Sequence, residues 1–587
     1  MIVQALHEIQ HRRGYLPEPE LRALSEKANV PLHRLNEVAS FFPHFRKNPP
    51  PAVNVHVCRD MACHLAGAPQ CQRALDALAS EIGPKRVHVS GVSCLGQCDA
   101  PVAVLINDHV YRGGTQEEIA YLVRQCASGE HLPLQTASCQ PLPWKIDAYK
   151  GQPHYDVVRK FVDAWKADKD SDVKAKRKRV GEWIISAIKA ADLRGMGGAG
   201  FRTHMKWAGV RDEPEATKYV VCNGDECEPG TFKDRELLRR TPWLLVEGMV
   251  TAGLVTGAER GWIYIRHEYH QEIEVMNEAI RQAQADGVCG QSILGSDLSF
   301  PLEVFVSPGG YICGEESALL EAMEDKRAEP RNKPPFPVQE GLYGKPTVVN
   351  NVETLSWVPS IVLNGGEWYK NLGVRGATGS RFVSISGDVK KPGVYEVPLG
   401  QTVRELIIDT AGGMRDGVKL KAIAPSGPSG GFLPAVINLS QVPKPFIDAL
   451  VKRNAIKPDS KTVDILDVPL DFDTMIPFPD FMLGAAFVVY GDQANMVEQA
   501  LNCVQFYRNE SCGKCVPCRL GSQKLVDMIG EILEGRFNQQ LSLVDELADA
   551  MLVASICGLG KVAPNPIRTI IKYFRPELEE CLQRVTQ

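Results

Sequence analysis

The sequence predicts a multidomain chain of α/β and α+β units closed by a helical one. Three observations predict it. Between residues 181 and 375, strand-like apolar runs alternate with helical periodicity, as a sheet flanked by helices requires. Eight of the 17 cysteines fall into two spaced sets, one set after strand patterns and one within helical sequence. Beyond residue 469, helical patterns take over. At 587 residues the chain is long enough for several cores. It is 44% hydrophobic and 23% charged with a net charge of −5, a soluble composition with no nucleic-acid signature. No apolar run reaches the ~18 residues of a membrane span, and the first residues read as an amphipathic helix rather than a secretory signal. So long a chain needs no disulfides, so spaced cysteines point to metal in a reducing, cytoplasmic setting.

In chain order, residues 1–46 read as short helices and Pro49, Pro50 and Pro51 end them. Ala52-Val-Asn-Val-His-Val57 alternates as a strand and runs into Cys58, with Cys63 close behind. A helical stretch leads to a second strand, Arg86-Val-His-Val-Ser90, followed by Cys94 and Cys98. Each pair lies just after a strand, where neighbouring loops converge. Four such thiolates suit [2Fe–2S] or zinc, and C-x4-C with C-x3-C favours the cluster because zinc more often takes C-x2-C pairs. Residues 1–126 form this unit. Residues 127–180 read as a linker, punctuated by Pro133, Pro141 and Pro143, with a solvated charge run at 167–179.

The next unit, 181–375, carries the densest chemistry. Gly195, Gly197 and Gly200 satisfy G-x-G-x-x-G. A dinucleotide loop of that pattern follows a strand, but here the preceding residues have helical spacing. The loop is either a phosphate cradle leaving a helix or an ordinary glycine turn. Asn223, Asp225, Glu226 and Glu228 sit within six positions, Glu315 and Glu316 are adjacent, and Asn350, Asn351 and Thr354 follow. Such amides and carboxylates suit a flavin's polar edge and ribose hydroxyls, and Lys206 suits a phosphate. Residues 376–468 read as a small α+β unit with a glycine loop, Ser426-Gly-Pro-Ser-Gly-Gly431, which could approach this site. In 469–587, Cys512, Cys515 and Cys518 form C-x2-C-x2-C and Cys557 stands far downstream, a pattern for a [4Fe–4S] cubane.

These strings resemble the flavin- and NADH-binding subunit of respiratory complex I and its soluble relatives, the diaphorase subunits of NAD-linked hydrogenases and the beta subunits of NAD-dependent formate dehydrogenases. The resemblance rests on Gly197-Gly-Ala-Gly-Phe201, Lys206-Trp207, Asn223-Gly-Asp-Glu-Cys-Glu-Pro-Gly-Thr-Phe-Lys-Asp234, Tyr311-Ile-Cys-Gly-Glu-Glu-Ser317, Lys333-Pro-Pro-Phe-Pro337 and Pro346-Thr-Val-Val-Asn-Asn-Val-Glu-Thr354. It implies a thioredoxin-like [2Fe–2S] domain, an α/β flavin domain, a ubiquitin-like (β-grasp) domain and a helical [4Fe–4S] domain. It implies that Gly195, Gly197, Gly198, Lys206, Asn223, Asp225, Glu226, Tyr311, Gly314, Glu315, Asn350, Asn351 and Thr354 hold FMN, with Phe201, Glu228 and Glu316 facing NADH. Glu316 would accept ribose hydroxyls and repel a 2′-phosphate, selecting NADH over NADPH. Hydride transfer is then a matter of positioning, with Glu228 and Glu316 as the carboxylates nearest the chemistry.

Departures from the family's pattern are Met196 for arginine, Arg202 for proline, and Gly209 where an adenine-stacking aromatic can stand. The resemblance further implies electron flow between NAD(H), FMN, the [4Fe–4S] cluster and a partner's cluster, with [2Fe–2S] as a side branch or store. Fusion of the [2Fe–2S] and flavin modules, together with Arg327-Ala-Glu-Pro-Arg-Asn-Lys-Pro-Pro335 and Pro428-Ser-Gly-Gly-Phe-Leu-Pro434, most resembles formate dehydrogenase beta subunits. The partner would be a catalytic alpha subunit with iron–sulfur clusters and a molybdenum or tungsten centre. The alternatives are a hydrogenase diaphorase, the flavin subunit of a complex I-type enzyme and, in another class, a flavin-free zinc scaffold.

Overall fold

The computed structural model describes residues 2–480, 482, 484–536 and 541–583. Strand β1 (Val53–Cys58) and β2 (Val87–Val92) are parallel and joined by the helix Ala68–Ile82. Strands β3 (Val104–Ile106) and β4 (His109–Tyr111) complete a sheet in the order β2-β1-β3-β4. Its core is Val53, Val55 and Val57 against Leu75, Leu78, Ile119 and Val123. The helix Gln116–Ala127 starts at a capping box, with Thr115 and Glu118 satisfying each other's backbone N–H groups.

The central sheet is fully parallel, in the order β7-β6-β5-β8, from β5 (Tyr219–Gly224), β6 (Arg260–Arg266), β7 (Leu302–Ser307) and β8 (Thr347–Asn351). The chain moves outward from β5 through β6 to β7, then returns to the other side of β5. Strand order therefore reverses between β5 and β8, and a crevice for a ligand opens at their carboxyl ends. Alternate residues face opposite layers. Val221, Tyr264 and Phe305 join the N-terminal helices and the C-terminal unit in one core. Val220, Cys222 and Ile263 join a second core with Tyr149, Tyr155, Phe161 and Trp165. Residues 1–46 thus cover one face of the sheet: Val3 donates its N–H to Asp325 at 2.8 Å and the Gln4 amide donates to the Val306 carbonyl at 3.0 Å. The stretch read from sequence as a linker covers the other, through the helices Asp156–Ala167 and Val173–Ala190.

A third sheet, β10-β9-β15-β11-β12, holds β9 (Ser380–Gly387), β10 (Gly393–Pro398), β11 (Leu420–Pro428) and β12 (Leu433–Pro434). A small pair, β13 (Val436–Asn438) with β14 (Thr462–Asp464), lies apart from it. Strand β15 (Ala486–Gly491) comes from the segment assigned by sequence to the last unit, yet lies mid-sheet, parallel to β9 and antiparallel to β11. In the third unit, Glu405–Thr410 is a π-type turn, followed by Gly412 and Gly413 at positive φ. The last unit is helical, from Met496–Glu510, Val516–Leu533 and Ser542–Ala554 to the shorter Gly558–Val562, Asn565–Tyr573 and Arg575–Gln583. Among the described residues no helix is long and apolar enough to cross a membrane.

Candidate functional site

The predicted flavin residues meet at the β5/β8 switch point. The helix Val173–Ala190 ends just before the glycine loop. Gly198 and Gly200 take positive φ of 108° and 65°, and a Cβ on either would meet nothing within 4 Å. The loop is anchored on β8 and the helix after it: Met196 N–H donates to Thr354 Oγ1 at 2.8 Å, and a Cβ on Gly197 would come 3.2 Å from that of Asn351. Trp207 Nε1 orients the Asn350 amide oxygen at 2.9 Å. Asn351 caps the helix Val352–Asn364 and donates to Asp234 at 2.5 Å, beside the buried pairs of Lys233 with Asp234 and Glu353.

The second predicted stretch packs on the end of β5. The Asn223 amide donates to the Gly314 carbonyl at 2.8 Å, and a Cβ on Gly314 would lie 3.1 Å from the Asp225 carbonyl. Asp225 is buried and its Oδ1 has no hydrogen-bond partner among the described residues; burial pushes its pKa up to about 7. Burial also raises the Glu228 carboxyl, opposed by hydrogen bonds from Ser429 and Tyr311. Glu228 accepts from the Ser429 N–H at 3.2 Å and hydroxyl at 2.6 Å, and from the Tyr311 hydroxyl. The glycine loop of the third unit therefore reaches the site. Glu226 differs: its carboxylate accepts Asp234 and Arg235 N–H groups at 2.9 and 3.1 Å, starting the helix Lys233–Arg240, so protein donors occupy it.

Four charges form a chain at the crevice mouth. Glu315 caps the helix Glu316–Met323 and accepts from Lys333 Nζ at 2.8 Å. Glu316 accepts from Lys333 at 2.9 Å and Lys206 at 3.2 Å, and Lys206 also donates to the Val349 carbonyl at 2.8 Å. Burial would raise the Glu316 carboxyl, but Lys206 and Lys333 hold it below its ordinary value. Lys206 is thus paired with a carboxylate. Sequence reasoning passes over Lys333 as a site residue, although it opens one of the resembling strings. Phe201 and Phe336 are both 50% exposed. A Cβ on Gly209 would come 2.9 Å from Val338, so the loop carrying Phe336 packs where a larger residue would stand.

Cys58, Cys63, Cys94 and Cys98 are all buried, and the Cys94 and Cys98 sulfurs lie 3.5 Å apart. The neighbouring sulfurs of Cys58 and Cys98 hold the Cys94 pKa down, while Cys58 is pushed up by Cys63 and Cys94. Asp60 accepts the Cys94 N–H at 2.8 Å, and the Gly96 N–H points at the Cys94 sulfur at 3.4 Å. The helix Met496–Glu510 clamps this site from the far end of the sequence. Asn502 accepts from the Met61 N–H at 2.8 Å and donates to the Arg59 carbonyl at 2.9 Å. Glu510 accepts the Tyr311 N–H at 2.7 Å and the Ser93 hydroxyl.

Cys512, Cys515, Cys518 and Cys557 line one cavity with Ile312 and Pro330, so the Tyr311–Gly314 turn of the flavin region abuts it. Burial pushes the Cys518 and Cys557 thiols up to about 12 and about 11, so a metal must displace their protons.

The profile described as the Nuo51 FMN-binding domain matches residues 188–360. The NADH-ubiquinone oxidoreductase-F iron-sulfur binding region matches 498–581, the thioredoxin-like [2Fe-2S] ferredoxin 1–127, and an SLBB domain 382–433. The chain is 36% identical over 464 residues to the F subunit of the NADH-quinone oxidoreductase of Escherichia coli, covering 77% of this chain and 95% of that one. It is 32% identical over 588 residues to the alpha subunit of the NAD-reducing hydrogenase HoxS of Cupriavidus necator, covering 98% and 91%. The chain belongs to the family of NADH-oxidoreductase F subunits. A crystal structure of an NAD+-reducing [NiFe]-hydrogenase in the H2-reduced state superposes with a TM-score of 0.80 at 31% identity, covering 99% of this chain and 92% of that one. The family's cofactors are FMN, a [2Fe–2S] and a [4Fe–4S] cluster, which sets aside the zinc scaffold. The chain is a diaphorase-type oxidoreductase subunit.

Proposed function

We propose that the switch-point crevice holds FMN, that NAD(H) binds at its Glu316 mouth, and that the eight cysteines hold the clusters, four each. FMN, when bound, exchanges a hydride with the nicotinamide and single electrons with iron–sulfur clusters. The observation that carries this is the buried Asp225 at the end of β5, its Oδ1 without a hydrogen-bond partner among the described residues and its backbone packed on Gly314, an acceptor free for a flavin ring N–H. The glycine loop, Asn223, Asp225, Tyr311, Gly314, Glu315, Asn350, Asn351 and Thr354 shape the FMN crevice. Glu226 supports it from behind, as its carboxylate is committed to the helix start. Lys206 and Lys333 keep Glu316 ionised, and their remaining N–H groups are the cationic donors at the mouth that a phosphate could engage. Phe336 and Phe201 offer the aromatic faces that Gly209 does not. Glu228, tied to Ser429 and Tyr311, orients the nicotinamide end by position.

We infer that the partner is the catalytic alpha subunit of a cytoplasmic NAD-dependent formate dehydrogenase, carrying further clusters and molybdenum or tungsten. The motifs at 327–335 and 428–434 support this. A second reading, the diaphorase of an NAD-linked hydrogenase, is favoured by the near-complete coverage against the hydrogenase chain. An anaerobic visible spectrum tests both levels. The purified chain is expected to be yellow-brown and to bleach with NADH; absorbance confined to the aromatic band in fully loaded protein would refute the redox assignment. With the co-purified partner, bleaching by formate and not hydrogen supports the first reading, and the reverse result the second.

A further inference from the structure

The 94–98 cysteine loop is joined to the flavin crevice by buried charge rather than by apolar packing alone. Arg266, the last residue of β6, is 2% exposed. Its Nη2 donates to the Cys94 carbonyl at 2.7 Å and its Nη1 to the Glu226 carbonyl at 2.7 Å. Nε and Nη2 reach the Glu268 carboxylate at 3.0 and 2.9 Å. One guanidinium thus spans a cysteine of the first set and the backbone beside Asp225. Arg235 makes a second clamp on the same loop, to the Gly96 carbonyl at 2.5 Å and Gln97 Oε1 at 2.6 Å, but it is neutralised by both Asp99 and Glu236. Tyr269 fills the space between, its ring 5.1 Å from the Arg266 guanidinium and its hydroxyl 3.2 Å from Glu226 Oε2. Glu268 has no hydrogen bond to the cysteine loop among the described residues, so the cationic partner of this ion pair is the one that touches the loop, at the Cys94 carbonyl.

We propose that Arg266 is a positioning residue that raises the midpoint potential of the [2Fe–2S] cluster and holds its loop at the flavin crevice; this rests on Cys58, Cys63, Cys94 and Cys98 holding that cluster. One-electron reduction takes one ferric ion to ferrous and adds one negative charge. A cation in a water-excluded site stabilises the more negative form, and a donor polarising the Cys94 peptide acts in the same direction. Glu268 partly offsets the cation and keeps it ionised and oriented.

The two members of the pair therefore have opposite signs, which a purely mechanical role would not give. The test is an EPR-monitored potentiometric titration of the [2Fe–2S] signal in the full chain, each variant compared with wild type. Arg266→Met is expected to lower the midpoint, Arg266→Lys to lower it less, and Glu268→Gln to raise it. Same-direction shifts for Arg266→Met and Glu268→Gln, or no shift in either, overturn the proposal. If Arg266→Met fails to retain the cluster, Glu268→Gln decides alone: a lowered or unchanged midpoint overturns it. A fully loaded wild type with no [2Fe–2S] signal instead refutes the cysteine assignment, and the proposal with it.

Discussion

The two cysteine sites are built in opposite ways. The first set is buried throughout, with Cys58 and Cys63 1% exposed and Cys94 and Cys98 2%. Its loops are gripped by side chains from elsewhere: Arg235, Arg266, Asn502 and Glu510. In the second set Cys512, Cys515 and Cys557 are only part-buried, and each of its helices starts at a cysteine: Cys515 precedes Val516–Leu533 and Cys557 precedes Gly558–Val562. Its cavity shares Ile312 with the flavin region, and the helix that starts after Cys515 exposes Val516 and Leu520. A site that faces both the crevice and the surface suits electron passage, and a site sealed within the chain suits storage.

The largest effect separates those two roles. Cys518→Ala is expected to bring NADH-driven reduction of the partner to background while flavin-level reduction of ferricyanide persists. Cys98→Ala is expected to leave partner reduction largely intact. Equal losses in the two variants would break the distinction. The same alanine substitution in each loop gives the next effect. Gly96 has φ +68° and its Cβ would lie 2.3 Å from the buried Tyr269 hydroxyl, whereas Gly513 has φ +74° but nothing nearer than 3.7 Å. Gly96→Ala should cost about 2–4 kcal/mol, strain plus overpacking, and Gly513→Ala only about 1 kcal/mol of backbone strain. Thermal unfolding with iron content measures both, and a Gly513 cost as large as that of Gly96 would contradict the looser second site.

How much of this is legible in the sequence follows from how local each feature is. The cysteine pairs and the 512–518 triplet are readable because each has a short local spacing, whereas their joining with one another and with Cys557 depends on the fold. The glycine loop is readable as leaving a helix because that helix is a continuous pattern. The roles of 1–46 and of the stretch from Ile146 to Leu193 as the two layers over the central sheet are not, because burial against a sheet is settled by contacts hundreds of residues apart, such as Val3 with Asp325. The return of β8 beside β5 is equally hidden, so residue type marks Asn350 and Asn351 as candidates but only the fold sets them beside Cys222 and Asn223. Arg266 escapes a reading by motif, although an arginine and a glutamate two residues on, at the end of an apolar strand, are a visible signal for a buried ion pair. Ser429 is half visible, as part of a loop that could approach the site.

Between the two cysteine sites lies the crevice, and its mouth should tolerate change better than either. Glu316→Gln removes the charge that opposes a 2′-phosphate while Lys206 and Lys333 remain. The ratio of kcat/KM for NADH over NADPH should fall roughly tenfold, about 1.4 kcal/mol. Since the two lysines hold Glu316 below its ordinary pKa, wild-type discrimination should be flat around neutral pH. A preference unchanged in the variant would move cofactor selection elsewhere.

The smallest effect is a slope. Asp225 titrates near 7 in the folded chain because burial disfavours its charge, with Arg266 lowering and Glu268 raising that value. An unfolded aspartate titrates near ~3.9. Between these values the folded protein carries a proton that the unfolded chain has lost, so this group's stabilisation is complete at low pH and is lost as pH rises towards 7. Flavin-free wild type should therefore lose more stability than Asp225→Asn over that window, by up to about 4 kcal/mol before relaxation. A flavin N–H donating to Oδ1 favours the carboxylate, so FMN should shrink the wild-type slope and leave the variant's unchanged. Parallel pH profiles with and without FMN would place the flavin contact on another residue.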